Sequence, residues 1–257
     1  MTPRESDEDG LRGRVALVTG GAGAGIGSAI VERLRCAGAS LVVTDISAKR
    51  VEALRSRLGD LAVEHLCEPM DVRDEDAVVS LFGRVRDEFG RLDILVNSAG
   101  FNKPASLADM DLATWHAVLD TNVTSAFLHI REAWPLLRER GGAIVNLSSV
   151  AAWSGTGLGE AHYAAAKAGV LGLTRAAAAE GAPHGIRVNA VAPGLIWNEH
   201  LGRAVPPPFL AAYRAMSLMG QGQPEDVADV VHFLCTDASR HVTADTITVA
   251  GGHLARH

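Results

Sequence analysis

Tyr163 and Lys167, in the run Tyr163-Ala164-Ala165-Ala166-Lys167, have the types and spacing that acid–base chemistry requires. The segment is alanine-rich and helix-forming, so residues four apart project from one face. A hydride exchanged at the carbon of an alcohol or carbonyl needs a proton donor or acceptor at the oxygen. A free phenol titrates at about 10, and bringing it to about 7 takes roughly 4 kcal/mol. One ammonium about 4 Å away, at an effective dielectric of about 20, supplies about that much. Alone, the pair also reads as a half-buried tyrosine beside a solvated lysine. Its surroundings decide between the two.

Far upstream, Val15-Ala16-Leu17-Val18-Thr19 runs into Gly20-Gly21-Ala22-Gly23-Ala24-Gly25-Ile26-Gly27 and then a helical pattern from Ile26 to Cys36. Glycines at a strand–helix junction allow a tight turn and let backbone N–H groups approach a pyrophosphate at the helix N-terminus. A flexible turn has the same composition, but strand, glycines and helix in that order point to a dinucleotide. The next apolar run ends at Asp45, 18 residues after Gly27. A carboxylate there accepts from the ribose 2′-OH and repels a 2′-phosphate. Lys49 and Arg50 read as solvated helix charges, and Ala24 brings no cation into the loop. NAD is therefore expected over NADP.

The elements that must position these groups alternate along the chain. Apolar runs recur at Leu41–Thr44, Asp93–Val96, Ala143–Leu147, Arg187–Val191 and Thr246–Val249, with a weaker one near Val63–Leu66. Each is nearly continuous rather than alternating, as in strands buried on both faces of a parallel sheet. Helical periodicity fills Asp74–Phe89 and Trp115–Leu137, and Pro224-Glu225-Asp226 opens a further helix. This rhythm predicts an α/β fold: a single doubly wound, Rossmann-like parallel sheet with helices on both faces. Residues 1–12 read as a flexible tail and 13–257 as one catalytic domain. The segment from Trp197 to Met219, with Pro206-Pro207-Pro208 and Phe209-Leu210-Ala211-Ala212-Tyr213, reads as a small substrate lid.

With these pieces the chain resembles the compact short-chain dehydrogenase/reductase family from Gly13 to Gly252. Further matching pieces are Asp71-Val72, Asn97-Ser98-Ala99-Gly100, Asn122, Ser148-Ser149 and Pro193-Gly194. The resemblance implies that Ser149 hydrogen-bonds the substrate oxygen, Tyr163 exchanges its proton, Lys167 assists, and Asn122 places a relay water. Asn122 could equally be a polar residue inside a helix, and Ser149 a cap at a strand end. The resemblance also implies a cofactor surface of Gly21, Ala24, Gly25, Ile26, Gly27, Asp45, Ile46, Asp71, Val72, Asn97, Ala99, Gly100, Tyr163, Lys167, Pro193, Gly194, Ile196 and Asn198. Asp71 and Val72 would meet the adenine, and Ala99 and Gly100 the ribose. The stretch from Asp111 to Arg140 resembles the family's subunit-packing helix, which implies a homotetramer.

The chain departs from the family pattern at four places. The glycine loop is one residue longer, with a bulge expected at Gly20 or Gly21. The segment from Ser149 to Tyr163 is also one longer, and Ser149 is chosen over Ser148. Asn198 stands where threonine is usual, and Ala250 where a polar residue is frequent. His162 adjoins Tyr163, but a neighbour along a helix points elsewhere, and His200 falls in the lid. Trp153, Trp197, Phe209 and Tyr213 could line an apolar pocket or pack the core and lid.

Composition excludes several classes. Twenty-four basic against 30 acidic residues give a charge of −6, without the basic face that nucleic acid needs. Hydrophobic residues at 47% and charged residues at 21% are usual for a folded chain. Cys36, Cys67 and Cys235 form no CxxC pair, so neither a disulfide framework nor a metal site is expected. No apolar run is long enough for a membrane span, and the polar first dozen residues suit a cytoplasmic protein. The expectation is an NAD-dependent oxidoreductase interconverting a secondary alcohol and a ketone. The alternatives are a reductase of 3-oxoacyl thioesters or of a biosynthetic ketone or imine, and an NAD sensor without turnover.

Overall fold

The computed structural model describes residues 10–58, 65–155, 158–197 and 214–253. Seven parallel strands form one sheet: β1 (Val15–Thr19), β2 (Ser40–Asp45), β3 (His65–Pro69), β4 (Ile94–Asn97), β5 (Gly142–Leu147), β6 (Ile186–Pro193) and β7 (Thr246–Val249). The helices are α1 (Ile26–Cys36), α2 (Ala48–Leu58), α3 (Glu75–Phe89), α4 (Leu112–Leu119), α5 (Ser125–Arg138), α6 (Ala161–Gly181) and α7 (Pro224–Cys235).

Continuous apolar strands arise because both sheet faces are covered. Ala16 and Val18 pack with Ile30, Val31 and Leu34 of α1 and Val227 and Val231 of α7. Val15 and Leu17 face the other way, toward Val78 and Leu81 of α3 and Leu128 of α5. Successive apolar residues of β1 thus bury their side chains on alternate faces of the sheet, as period-two geometry requires.

The order across the sheet is β3-β2-β1-β4-β5-β6-β7, so successive strands are added to one side of β1 up to β3 and to its other side from β4 onward. Such a switch point opens a crevice at the carboxyl ends of the strands. The glycine loop follows β1 there, Ser98-Ala99-Gly100 follow β4, and Ser148-Ser149 follow β5.

Two expected elements are revised. The weak strand lies at His65–Pro69, later than expected, and positions 63 and 64 fall outside the described residues. The stretch from Asp111 is not one regular helix: α4 and α5 are joined through a π-helical turn, Asp120–Thr124, that contains Asn122. Most of the expected lid, including Asn198, His200, Phe209 and Tyr213, lies outside the described residues. Among the described residues no helix is long and apolar enough to cross a membrane.

One imidazole sits in the apolar layer between α3 and α5. His129 is 1% exposed, packs edge-on to Phe82 with centroids 6.1 Å apart, and leaves Nε2 without a partner. Its Nδ1 lies 2.8 Å from the Ser125 carbonyl, so the neutral ring donates there. Burial pushes its pKa from 6.5 down to about 4. A folded pKa below the unfolded one gives stability that is full above 6.5 and lost as pH falls through 4, by about 3 kcal/mol. Urea unfolding at about pH 7 and about pH 4.5 is expected to show a smaller acid loss in His129→Leu than in the native chain. Equal losses would contradict this.

Candidate active site

The end of β5 and the face of α6 are joined by polar bonds from three successive residues. The Asn146 amide donates to Thr174 Oγ1 at 2.9 Å and accepts from Asn97 Nδ2 at 2.8 Å. The Leu147 carbonyl accepts from Lys167 Nζ at 2.7 Å. The Ser148 hydroxyl donates to the Lys167 carbonyl at 2.9 Å. With its proton so engaged, Ser148 is a structural residue. Ser149 instead caps the short turn Val150–Ala152, its Oγ accepting from Ala151 N at 3.2 Å. Accepting that bond leaves its O–H to donate elsewhere, which supports Ser149 as the candidate hydroxyl.

Lys167 is 3% exposed, and its ammonium lies 5.6 Å from the centroid of the Tyr163 ring. Desolvation lowers its pKa from 10.5 to about 8. Asn122 approaches from the π turn, where Nδ2 donates to the Phe101 carbonyl at 2.6 Å and the Val118 carbonyl at 2.8 Å. Its buried Oδ1 has no partner. A Cβ on Gly100 would lie 3.1 Å from that oxygen and 3.6 Å from Lys167 Nζ, so both atoms face one small space. The structure thus gathers Asn122, Tyr163 and Lys167, and the turn after Ser149 packs against the same helix.

On the other side of the switch point, Thr19 Oγ1 accepts from Ser98 N and Ala99 N, both at 3.0 Å, and ties β1 to β4. Gly20 makes the turn out of β1, with a φ of +67° and a Cβ that would lie 2.9 Å from Ala99 Cα. Gly27 packs on the Gly20 carbonyl, leaving no room for a side chain. Gly21 is placed differently from its expected role. It is buried against Val31 and Val43, and its N–H is engaged by the Thr44 carbonyl at 3.1 Å, so it has no donor to offer a pyrophosphate. Gly25 caps α1, with its N–H on Ser28 Oγ at 3.2 Å.

The comparisons with known proteins bear on this arrangement. A family model described as "Enoyl-(Acyl carrier protein) reductase" matches residues 21–253. Over 260 residues the chain is 37% identical to (5R,7aS)-5-hydroxy-7a-methyl-1-oxo-2,3,5,6,7,7a-hexahydro-1H-indene-carboxyl-CoA reductase of Mycobacterium tuberculosis, covering 98% of each. It is 39% identical to 3-oxoacyl-(acyl-carrier-protein) reductase FabG of Staphylococcus aureus, covering 92% of this chain and 96% of that one. The structure of a 7α-hydroxysteroid dehydrogenase complexed with NADH and 7-oxo glycochenodeoxycholic acid superimposes with a TM-score of 0.91 at 31% identity, covering 96% of this chain and 97% of that one. The chain belongs to the short-chain dehydrogenase/reductase family. It is an oxidoreductase, and the family works with a nicotinamide cofactor.

The residues present fit that cofactor. The glycine loop leads into the start of α1, and the nearest atoms to a Cβ on Gly23 among the described residues belong to Arg50, with Nε at 3.7 Å, and to Asp45. Asp45 ends β2 at 3% exposure, and its Oδ2 faces Gly23. Arg50 is exposed, as a solvated helix charge should be, but it is also paired: its guanidinium bonds Asp45 Oδ1 through Nε at 3.0 Å and through Nη2. Ile46 beside it is 66% exposed, an apolar surface at the cleft edge. Val72 is buried, and the Asp71 carboxylate is held by Arg73, whose bonds lower its pKa. Asn97 keeps a buried, unpartnered Oδ1. Gly194 donates to the Val249 carbonyl at 2.9 Å, while Ile196 is packed in the core.

Sequence reasoning missed the Asn97–Asn146–Thr174 chain and the Arg50 ion pair. Asn146 between Val145 and Leu147 was the available signal, because a polar residue inside a doubly buried strand must have partners.

A buried ammonium with a depressed pKa binds its proton less well folded than unfolded. Its favourable share of stability is therefore present above 10.5 and lost as pH falls through about 8, which costs about 3 kcal/mol at neutral pH. Lys167→Met removes that cost but leaves the Leu147 carbonyl unpaired, at about 1–2 kcal/mol. The variant is expected to melt no lower than the native chain at about pH 7. A clear drop in its midpoint would contradict the desolvation argument.

Proposed function

We propose that the protein exchanges a hydride between NAD(H) and a secondary alcohol or ketone, with Ser149, Tyr163, Lys167 and Asn122 handling the oxygen and its proton. The observation that carries the reading is the buried Lys167 ammonium, pinned beside the Tyr163 ring and facing the unpartnered Asn122 Oδ1. The nicotinamide, when bound, takes up or gives the hydride.

In the oxidising direction Ser149 donates to the substrate oxygen, and the Tyr163 phenolate takes the proton from the alcohol O–H. In reduction the Tyr163 phenol returns it. Lys167, with its ammonium 5.6 Å from the ring centroid, favours the phenolate by its charge. Asn122 Oδ1 anchors a water beside Lys167 that carries the proton onward to solvent. A 3-oxoacyl thioester carries a ketone, so the reaction named for the FabG relatives is one case of this chemistry. The gathering of Asn122, Tyr163 and Lys167 speaks against a sensor without turnover.

NAD is favoured by the Asp45 carboxylate, which has one oxygen held by Arg50 and the other facing the glycine loop. Arg50 carries the competing reading, because a guanidinium released from Asp45 would meet a 2′-phosphate. A homotetramer fits the α4–α5 face, where Leu112 is 74% and Phe127 46% exposed. Size-exclusion chromatography with light scattering checks the oligomer; a monomeric mass would sink it.

A panel of secondary alcohols and ketones, followed at about 340 nm with each cofactor, tests the reading. Turnover is expected with kcat/KM favouring NAD by about tenfold or more. Tyr163→Phe is expected to lose turnover by at least about 100-fold while NADH still binds. Retained activity in that variant overturns the mechanism, and a clear NADP preference overturns the cofactor assignment.

A further inference from the structure

The first turn of α6 begins without the usual cap. Glu160 at the N-cap makes no side-chain cap hydrogen bond. The N–H of Tyr163, third in the helix, needs a partner from outside the regular ladder. Gly159, one turn back, gives its carbonyl to Ala105 N at 2.9 Å instead. His162 fills the place: its Nδ1 accepts the Tyr163 N–H at 2.9 Å.

The same ring reaches the loop after β4. His162 is fully buried, and Nε2 lies 2.9 Å from the Lys103 carbonyl. Since Nδ1 accepts, the ring proton belongs on Nε2, which donates to Lys103. Asn102 Nδ2 donates to Glu160 Oε1 at 2.7 Å beside it. Three bonds therefore join residues 102–105 to residues 159–162. The preceding residue, Phe101, offers the carbonyl that holds Asn122.

We propose that His162 is a positioning residue: its ring is a strut that fixes the Tyr163 backbone against the loop that orients Asn122. The inference rests on the reading of Tyr163 as the proton-exchanging residue. His162 itself touches no reacting atom, because both of its nitrogens are engaged by backbone. Its effect is geometric, and a displacement of about 1 Å at a reacting group costs about 100-fold in rate.

Three variants separate its two bonds. His162→Asn can still accept the Tyr163 N–H but falls short of Lys103. His162→Gln can reach Lys103 but leaves that N–H unpaired, and His162→Leu does neither. The expected result is a kcat about 10–100-fold lower in His162→Leu, little recovered in His162→Gln and largely recovered in His162→Asn. NADH affinity, read by fluorescence, is expected to stay within about threefold in all three. A native kcat in His162→Leu, recovery by Gln rather than Asn, or NADH affinity falling in step with kcat would each overturn the proposal. Histidine-labelled NMR of the native chain needs no turnover and should place the ring proton on Nε2; an Nδ1–H ring would also overturn it. A native chain inactive across the alcohol and ketone panel would instead defeat the functional reading.

Discussion

A lysine ammonium almost wholly removed from water, held by one strand carbonyl at 2.7 Å, is the constraint around which the rest is arranged. Burying such a charge is costly unless acceptors meet it. The fold meets it by bringing β5 and α6 into fixed register, with Asn146, Leu147 and Ser148 each bonding α6. Gly100 leaves open the space that Asn122 Oδ1 and Lys167 Nζ both face, where a Cβ would sit 3.1 Å from the first and 3.6 Å from the second. The low dielectric that makes the charge expensive also makes it effective on a neighbouring phenol.

The cofactor side obeys a different constraint, close approach of backbones at the switch point. Thr19 Oγ1 draws the ends of β1 and β4 together, and Gly20 and Gly27 let the loop turn above them. The two halves meet at Ser98-Ala99-Gly100, which borders the glycine loop at one end and Asn122 and Lys167 at the other.

Much of this was legible in the sequence because local pattern and tertiary role agree. The runs at Val15–Thr19 and Thr246–Val249 and the helix at Ile26–Cys36 have the bounds that their apolar patterns announce. The π turn was not legible. Its residues, Asp120-Thr121-Asn122-Val123-Thr124, are weak helix formers, which does not announce a π turn, and Asn122 is bonded there to carbonyls 21 and 4 residues away. Ser148 and Ser149 are alike in sequence, and what separates them is tertiary and local bonding: Ser148 donates to the Lys167 carbonyl while Ser149 caps the turn after it. Gly21 fits the family's spacing, yet it packs beneath the loop against Val31 and Val43. The pairing of exposed Arg50 was not legible, because a helix periodicity does not reveal a carboxylate at the end of the preceding strand.

The central claim is that burial, with one carbonyl bond, tunes Lys167 for its neighbour. Its side-chain nitrogen can be followed directly by NMR titration of the intact, isotopically labelled protein. The account predicts loss of the ammonium proton at about pH 8. A midpoint at 10.5, the value of a solvated lysine, would contradict it.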